Sequence, residues 1–104
     1  MATDFSSILK QAQKMQREVM ALQEELKKRV VEGTAGGGMV TAYVNGGKEL
    51  VKITLDPQVV DPDDVEMLED LIVAAVSSAM EKADAMVQEE MKKITGGLGL
   101  PGLF

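Results

Sequence analysis

The apolar residues near the start of the chain follow a heptad pattern, and this pattern constrains the fold more than any other feature. They recur at alternating spacings of three and four residues, at Phe5, Ile8, Ala12, Met15, Val19, Leu22 and Leu26. This spacing places them on one side of an α-helix and is typical of helices that pack lengthwise on other helices. We call these residues the seam. The sequence predicts a long helix over residues 4–28, with Thr3 or Asp4 as its N-cap.

Residues 29–55 carry the alternating polarity and the turn signals of β-strands. The predicted strands are residues 29–34, 39–44 and 50–55. Gly36–Gly38 separates the first two strands, and residues 45–47, Asn-Gly-Gly, form a hairpin signal because Asn and Gly tolerate positive φ. One face of the second and third strands is apolar: Val40, Ala42 and Val44, then Val51, Ile53 and Leu55. The simplest arrangement is a three-stranded antiparallel meander.

A second long helix is predicted to follow the sheet. Asp61 is a suitable N-cap and Pro62 suits the first helical position. The apolar stripe after Val65 is broad, which predicts heavy burial over the first half of the helix. Gly96-Gly97 ends the pattern. We therefore expect an α+β protein with one domain over residues 1–95 and a flexible Gly-rich tail over residues 96–104.

The lengths of the two predicted helices favour a homodimer. At 1.5 Å per residue they measure about 37 and 48 Å, whereas a compact domain of this size has a radius of gyration near 13 Å, by the scaling of about 2.2·N^0.38. Such helices must overhang a three-stranded sheet. The overhanging part of the seam would be exposed to water unless the other helix or a second chain covers it.

The composition narrows the classes of function. The chain has no Cys and no His, which removes the ligands of a zinc site and the commonest general base. We therefore expect no metal, no cofactor and no catalysis. No segment approaches the roughly 20 apolar residues that span a bilayer, so we expect a cytoplasmic protein without a membrane partner. The net charge of -6 is uneven, because residues 56–104 carry eleven acidic and three basic groups.

One group of basic residues has a helical arrangement that suits a polyanion. Lys10, Lys14, Arg17 and Lys28 fall on one side of the first helix, opposite the seam. We call these four residues the basic ridge. Lys92 and Lys93, near the end of the second helix, are added as further candidates for DNA binding because of their position and charge. Cations on such a ridge attract DNA phosphates without regard to base sequence. The alternative interpretation is an ordinary solvated face of a coiled-coil helix.

Several motifs, in order along nearly the whole chain, resemble the bacterial YbaB/EbfC family. They are residues 10–16 (KQAQKMQ), Gly36–Gly38, Asn45-Gly46, Asp56-Pro57, residues 66–71 (EMLEDL) with Ala74-Ala75, and residues 96–102 (GGLGLPG). The resemblance implies a helix–three strands–helix protomer and a homodimer with protruding, tweezer-like helices. It also implies association with the nucleoid through DNA that the protruding helices contact. By motif match, this carries over Lys10, Lys14 and the neighbouring Arg17.

Two functions remain in competition at this point. The first is a homodimeric nucleoid-associated protein that binds double-stranded DNA mainly through its phosphates and affects nucleoid organisation or gene expression. The alternative is a protein-interaction adaptor, accessory to recombination or replication machinery, that uses the acidic second helix and the seam. A titration of DNA binding against salt separates them, because an adaptor should not bind duplex DNA even at low salt.

Overall fold

A computed structural model of the chain describes residues 2–95, without the side chains of residues 2, 3 and 95. The elements are α1 (Ala2–Leu26), β1 (Val30–Ala35), β2 (Val40–Asn45), β3 (Leu50–Leu55), a short 3₁₀ helix (Pro57–Val59) and α2 (Val65–Thr95). The three strands form one antiparallel sheet in the order β1-β2-β3. The predicted α+β architecture is confirmed. The tail predicted over residues 96–104 lies outside the described residues.

The helix α1 begins earlier than predicted and ends at the turn between β2 and β3. Because it starts at Ala2, Asp4 lies within its first turn and the predicted cap is wrong. At the other end, the Gly46 N–H donates to the carbonyl oxygens of Leu26 at 2.9 Å and of Arg29 at 3.1 Å. A Cβ at residue 46 would lie 2.4 Å from the Leu26 oxygen. Glycine at this position therefore allows the turn to approach and cap the end of α1.

The turn between β2 and β3 is organised by a buried asparagine side chain. Asn45 Oδ1 accepts hydrogen bonds from the backbone N–H groups of Gly47 and Glu49, both at 2.9 Å. The positive φ expected at Asn45 or Gly46 is instead found at Lys48, where φ is 61°. The prediction placed the turn correctly and its left-handed residue wrongly, because the Asn45 side chain bonds shift the tightest bend toward Glu49.

A sheet face of small and β-branched residues packs against α2. Val40, Ala42 and Val44 are fully buried on the predicted face, together with Ala75 and Ala79 of α2. The helix crosses the sheet at Gly33, where a Cβ would lie 2.2 Å from the Ala79 nitrogen and 2.4 Å from the Ala75 oxygen. Small residues on both sides thus allow the helix backbone to lie directly on β1.

The predicted start of α2 is wrong. Its N-cap is Asp64, whose side chain accepts from the Met67 N–H at 3.2 Å. The Asp61 side chain instead accepts a hydrogen bond from the Asp63 N–H, and its carbonyl oxygen accepts one from the Asp64 N–H. These two bonds form a turn before the helix starts.

The burial expected in the first half of α2 is present on one side of the helix, where Ala75 and Ala79 are buried and five apolar residues pack partly buried against the core: Leu68, Leu71, Ile72, Val76 and Met80. Val65, Met67 and Val73 remain exposed, because the helix lies mainly over β1 and β2.

The molecule is long and narrow, as the helix lengths predict. It measures 74 × 22 × 16 Å, with a radius of gyration of 19.8 Å. The seam changes along α1 from exposed to buried: Phe5 is 75% exposed, Ile8 is 63% exposed and Leu26 is buried. Between them Met15, Val19 and Leu22 are half-buried. Contact with α2 therefore covers the later part of the seam and leaves its start open.

Candidate nucleic-acid interface

The first part of α1 and the last turns of α2 lie side by side, away from the sheet. Ile94 of α2 lines a groove together with Ile8, Ala12 and Met15 of α1. We call residues 2–22 and 88–95 the arm, and the remaining described residues the body. The groove shows that the two helices contact each other through the seam, which leaves the opposite side of α1 facing solvent.

The arm carries the first three residues of the basic ridge in an exposed position. Lys10, Lys14 and Arg17 are all exposed on α1. The ammonium of Lys14 lies 4.0 Å from the carboxylate of Glu18, one turn further along the helix. Within residues 2–95, neither Lys10 nor Arg17 takes part in an ion pair. An anionic ligand could therefore engage these two side chains without displacing a carboxylate.

Lys28 does not extend the ridge along the helix. Because α1 ends at Leu26, Lys28 lies in the turn that leads into β1. There its N–H donates to the Glu25 carbonyl oxygen at 3.0 Å, and its side chain is exposed at the junction of arm and body. The prediction of a continuous ridge through residue 28 is therefore wrong, because the helical spacing on which it rested stops two residues earlier.

Lys92 and Lys93 lie in the last turn of α2, at the same end of the molecule as the ridge. Lys93 donates to the carboxylate of Glu90 at 3.1 Å, and Arg29 contacts the same oxygen at 3.2 Å. Lys92 is exposed. The structure thus brings the basic residues of both helices to one arm, where Lys14 and Lys93 are each paired with a carboxylate.

The Glu90 cluster also holds the end of α2 against the junction with α1. The hydrogen bond from Lys93 first, and that from Arg29 second, lower the pKa of the Glu90 carboxyl from its ordinary value. The charged form is therefore favoured, and both basic side chains are oriented by it. Sequence reasoning missed Arg29 and Glu90, because 61 positions separate them and no local pattern links residues that distant.

The charge is divided between the arm and the rest of the chain. The arm has five basic and four acidic residues, whereas the rest of the chain has six basic and thirteen acidic residues. Two body lysines are engaged: Lys48 lies 2.5 Å from the Asp84 carboxylate, and Lys52 stands 5.7 Å from the Tyr43 ring centre. A polyanion would consequently be repelled by the body and tolerated only at the arm.

Two other kinds of site are absent from the part of the chain that the structure describes. No group of three or more His, Cys, Asp or Glu side chains there is arranged to hold a metal ion. Neither helix in the same residues combines the length and the hydropathy that a membrane crossing requires.

Comparison with known proteins decides the family. A family model described as the YbaB/EbfC DNA-binding family matches residues 1–98. The chain belongs to the YbaB/EbfC family. This confirms the resemblance that the sequence motifs indicate.

Relatives in this family match the chain over nearly its whole length. A nucleoid-associated protein of Acetivibrio thermocellus is 59% identical over 102 residues, covering 97% of this chain and 90% of the relative. A nucleoid-associated protein of Caldanaerobacter subterraneus subsp. tengcongensis is 56% identical over 101 residues, covering 97% and 91%. The crystal structure of an uncharacterized protein from Helicobacter pylori has the same fold, with a TM-score of 0.64 at 24% identity, covering 77% of this chain and 93% of that one.

Proposed function

We propose that the chain is a homodimeric nucleoid-associated protein that binds duplex DNA through the phosphates, using the basic ridge of its arm. The observation that carries the proposal is the division of charge. Lys10 and Arg17 are exposed on a narrow arm and form no ion pair with any residue that the structure describes, while the rest of the chain is strongly acidic. Membership of the YbaB/EbfC DNA-binding family supports the same ligand.

Contacts to phosphates suit this arm better than contacts to unpaired bases. The chain is 3% aromatic and has no Trp, so it offers few rings on which bases of a single strand could stack. The cations stand on a straight helix, at spacings of three and four residues, and can follow a phosphate backbone. Such binding is expected to distinguish base sequences poorly and to weaken steeply as salt is added.

The homodimer is supported by an apolar strip that α2 leaves open. By strand register, Leu50, Ile53 and Leu55 of β3 share the face that carries the buried core of β2. The helix lies over β1 and β2 and hardly touches β3, so Leu50 remains 45% exposed. A second copy that covers this strip would complete the core and give the dimer two arms. Self-association also doubles the number of ridge cations available to one DNA molecule.

The dimer is tested by placing a charge on the strip. Leu50→Lys should weaken self-association by at least tenfold, because burying a charge in an interface costs several kcal/mol. Val30→Lys is the matched control, because Val30 is 48% exposed but lies on the face of the sheet opposite the strip, together with its register partner Asn45. Sedimentation over a range of concentrations measures both. Equal association in the two variants would place the interface elsewhere. A wild-type chain that stays monomeric would refute the proposed homodimer.

The DNA site is tested with two double variants that remove the same amount of charge. Lys10→Ala with Arg17→Ala removes two arm cations that have no ion pair within residues 2–95, and alanine preserves the helix. Lys48→Ala with Lys52→Ala removes two body cations. A dimer that uses Lys10, Lys14 and Arg17 of each chain neutralises up to six phosphates, which gives a slope of log K against log salt no steeper than about -5. The ridge variant should flatten this slope by up to about 3.6, and the body variant should leave it nearly unchanged.

The same titration separates the proposal from its competitor. A larger effect of the body variant, with circular dichroism unchanged in both, would move the DNA surface to the sheet. Absence of binding to duplex DNA at the lowest salt would favour an adaptor that works with recombination or replication proteins. In that case the exposed acidic residues of the body, and not the ridge, would be the surface to investigate.

A further inference from the structure

One carboxylate, where the arm meets the body, holds two basic side chains close together. Glu90 Oε1 lies 3.2 Å from Arg29 Nη1 and 3.1 Å from Lys93 Nζ. Because both contacts meet at one oxygen, the two nitrogen atoms are no more than about 6.3 Å apart. The Glu90 side chain is 20% exposed, whereas those of Arg29 and Lys93 are 46% and 67% exposed. The two cations therefore cover the carboxylate and are themselves accessible to solvent.

The hydrogen-bond donors of these two side chains exceed what one carboxylate oxygen accepts. A guanidinium has five N–H donors and an ammonium has three. Within residues 2–95, Glu90 is the one carboxylate that pairs with either side chain, so the cluster keeps a net charge of +1. A phosphate group presents several anionic oxygens and suits bidentate binding by arginine. Phosphate is therefore the class of ligand that this pair of cations favours.

The pair has exposed basic neighbours on both sides. Lys92 is exposed beside Lys93 in the last turn of α2, and Lys28 is exposed beside Arg29. We propose that Arg29 and Lys93 form a second phosphate site for DNA, in which Glu90 is the internal counter-ion that a DNA phosphate must displace. This inference rests on the proposed DNA binding and extends it, because the basic ridge contains neither residue.

Glu90 is a competitor that a phosphate can displace. The hydrogen bond from Lys93, and then that from Arg29, lowers the pKa of the Glu90 carboxyl, so the carboxylate is charged at neutral pH and opposes a second anion. Ion pairs that are exposed to water contribute little to stability. A phosphate of DNA can therefore replace the carboxylate without unfolding this part of the chain. Glu90 thus lowers the affinity for DNA both by its own charge and by occupying two cations.

The adjacent glutamate provides a matched control for this role. Glu89 is exposed and takes part in no ion pair within residues 2–95. Glu90→Gln and Glu89→Gln remove the same charge from neighbouring positions of α2, but Glu89→Gln leaves Arg29 and Lys93 paired. Binding of both variants to duplex DNA is measured over a range of salt concentrations, after circular dichroism has shown that each variant is folded.

Glu90→Gln should bind duplex DNA about tenfold tighter than Glu89→Gln, or more. The slope of log K against log salt should be steeper by about 0.9 for each further phosphate neutralised, with up to four such phosphates in a dimer. Equal affinity and slope in the two variants would overturn the proposal.

Removal of the two cations separates their release from other effects of the substitution. In a chain that carries Arg29→Ala and Lys93→Ala, Glu90→Gln and Glu89→Gln should bind DNA equally, because the gain depends on the removed side chains. A persistent advantage of Glu90→Gln in that background would show that its gain has another source, and the assignment to Arg29 and Lys93 would fail.

Pyrophosphate tests the same site without DNA. It is added at constant ionic strength, and the urea midpoint of each variant is compared with and without it, because an anion that binds the folded chain stabilises it. The midpoint should rise more for Glu90→Gln than for Glu89→Gln, and equal increases would overturn the site. If pyrophosphate distinguishes the variants but none of them binds duplex DNA, the phosphate site stands, whereas the proposed function and DNA as the ligand of this site both fail.

Discussion

Replacing Gly33 with alanine should be among the most damaging single-methyl additions to this protein. The added Cβ would lie 2.2 Å from the Ala79 nitrogen and 2.4 Å from the Ala75 oxygen, both of which belong to the α2 backbone. Normal contact requires at least 3.4 Å, so the helix must move away from the sheet by about 1 Å, a gap that forfeits a quarter to a half of the dispersion energy across it. The contacts affected are those of the fully buried core, including Ala42 and Val44.

We expect Gly33→Ala to lower the free energy of unfolding by about 3 kcal/mol, the upper part of the range for overpacked cores. With a slope of about 2 kcal/mol per M of urea, the midpoint falls by about 1.5 M. Gly37→Ala is the control, because its φ is 69° but no atom lies within 4 Å of the new Cβ; it should cost only about 1 kcal/mol of backbone strain. Both are measured by urea unfolding at one protein concentration. A Gly33→Ala protein that is no less stable than Gly37→Ala would refute the reasoning. Rescue of Gly33→Ala by Ala79→Gly would also refute it, because the clash is with backbone atoms that Ala79→Gly does not remove.

Three further changes test other parts of the structure by the same unfolding assay. Because basic neighbours lower the pKa of the Glu90 carboxyl, its contribution to stability is complete above the ordinary value of 4.5 and is lost as the pH falls below it. Glu90→Gln should therefore lower the urea midpoint at neutral pH and have little effect in strong acid; an equal loss at both would show that the charge is irrelevant. Asn45→Ala leaves two backbone N–H groups without their acceptor and should cost about 2 kcal/mol, whereas Asn45→Asp, which keeps the acceptor, should cost less. Lys48→Gly relieves a positive φ and should raise the free energy of unfolding by about 1 kcal/mol. The gain is reduced by the small contribution of the exposed Lys48–Asp84 ion pair, which Asp84→Ala measures separately.

Most of the architecture is predictable from the sequence because its signals are periodic and local. The seam predicts α1, and the alternation at Val40, Ala42 and Val44 predicts the buried face of β2. The errors occur where a side chain competes with the regular pattern. Asp61 has the character of an N-cap, but it forms a turn and leaves the cap to Asp64. Local propensity alone does not distinguish these two aspartates.

The candidate interface was less predictable than the fold. Helical spacing correctly puts Lys10, Lys14 and Arg17 on one exposed side of α1, because it depends only on the helix being formed. It fails at Lys28, since the helix ends first. It also gives no sign that Lys93 is held by Glu90, because ion pairs depend on tertiary geometry. Charge can thus be located from sequence, whereas its availability to a ligand requires the structure.

The Gly46 N–H donates to the last residue of α1, Leu26, and to Arg29 just after it, and this contact is a point about which α1 could tilt. Lys10 lies sixteen residues from Leu26, a lever of about 24 Å along the helix. Tilting the helix by about 10° at Gly46 would move Lys10 by about 4 Å, which is comparable with the roughly 3.4 Å that one nucleotide of a strand occupies along the axis of duplex DNA. If the ridge binds phosphates as proposed above, a glycine in the body controls how the ridge cations are aligned with them.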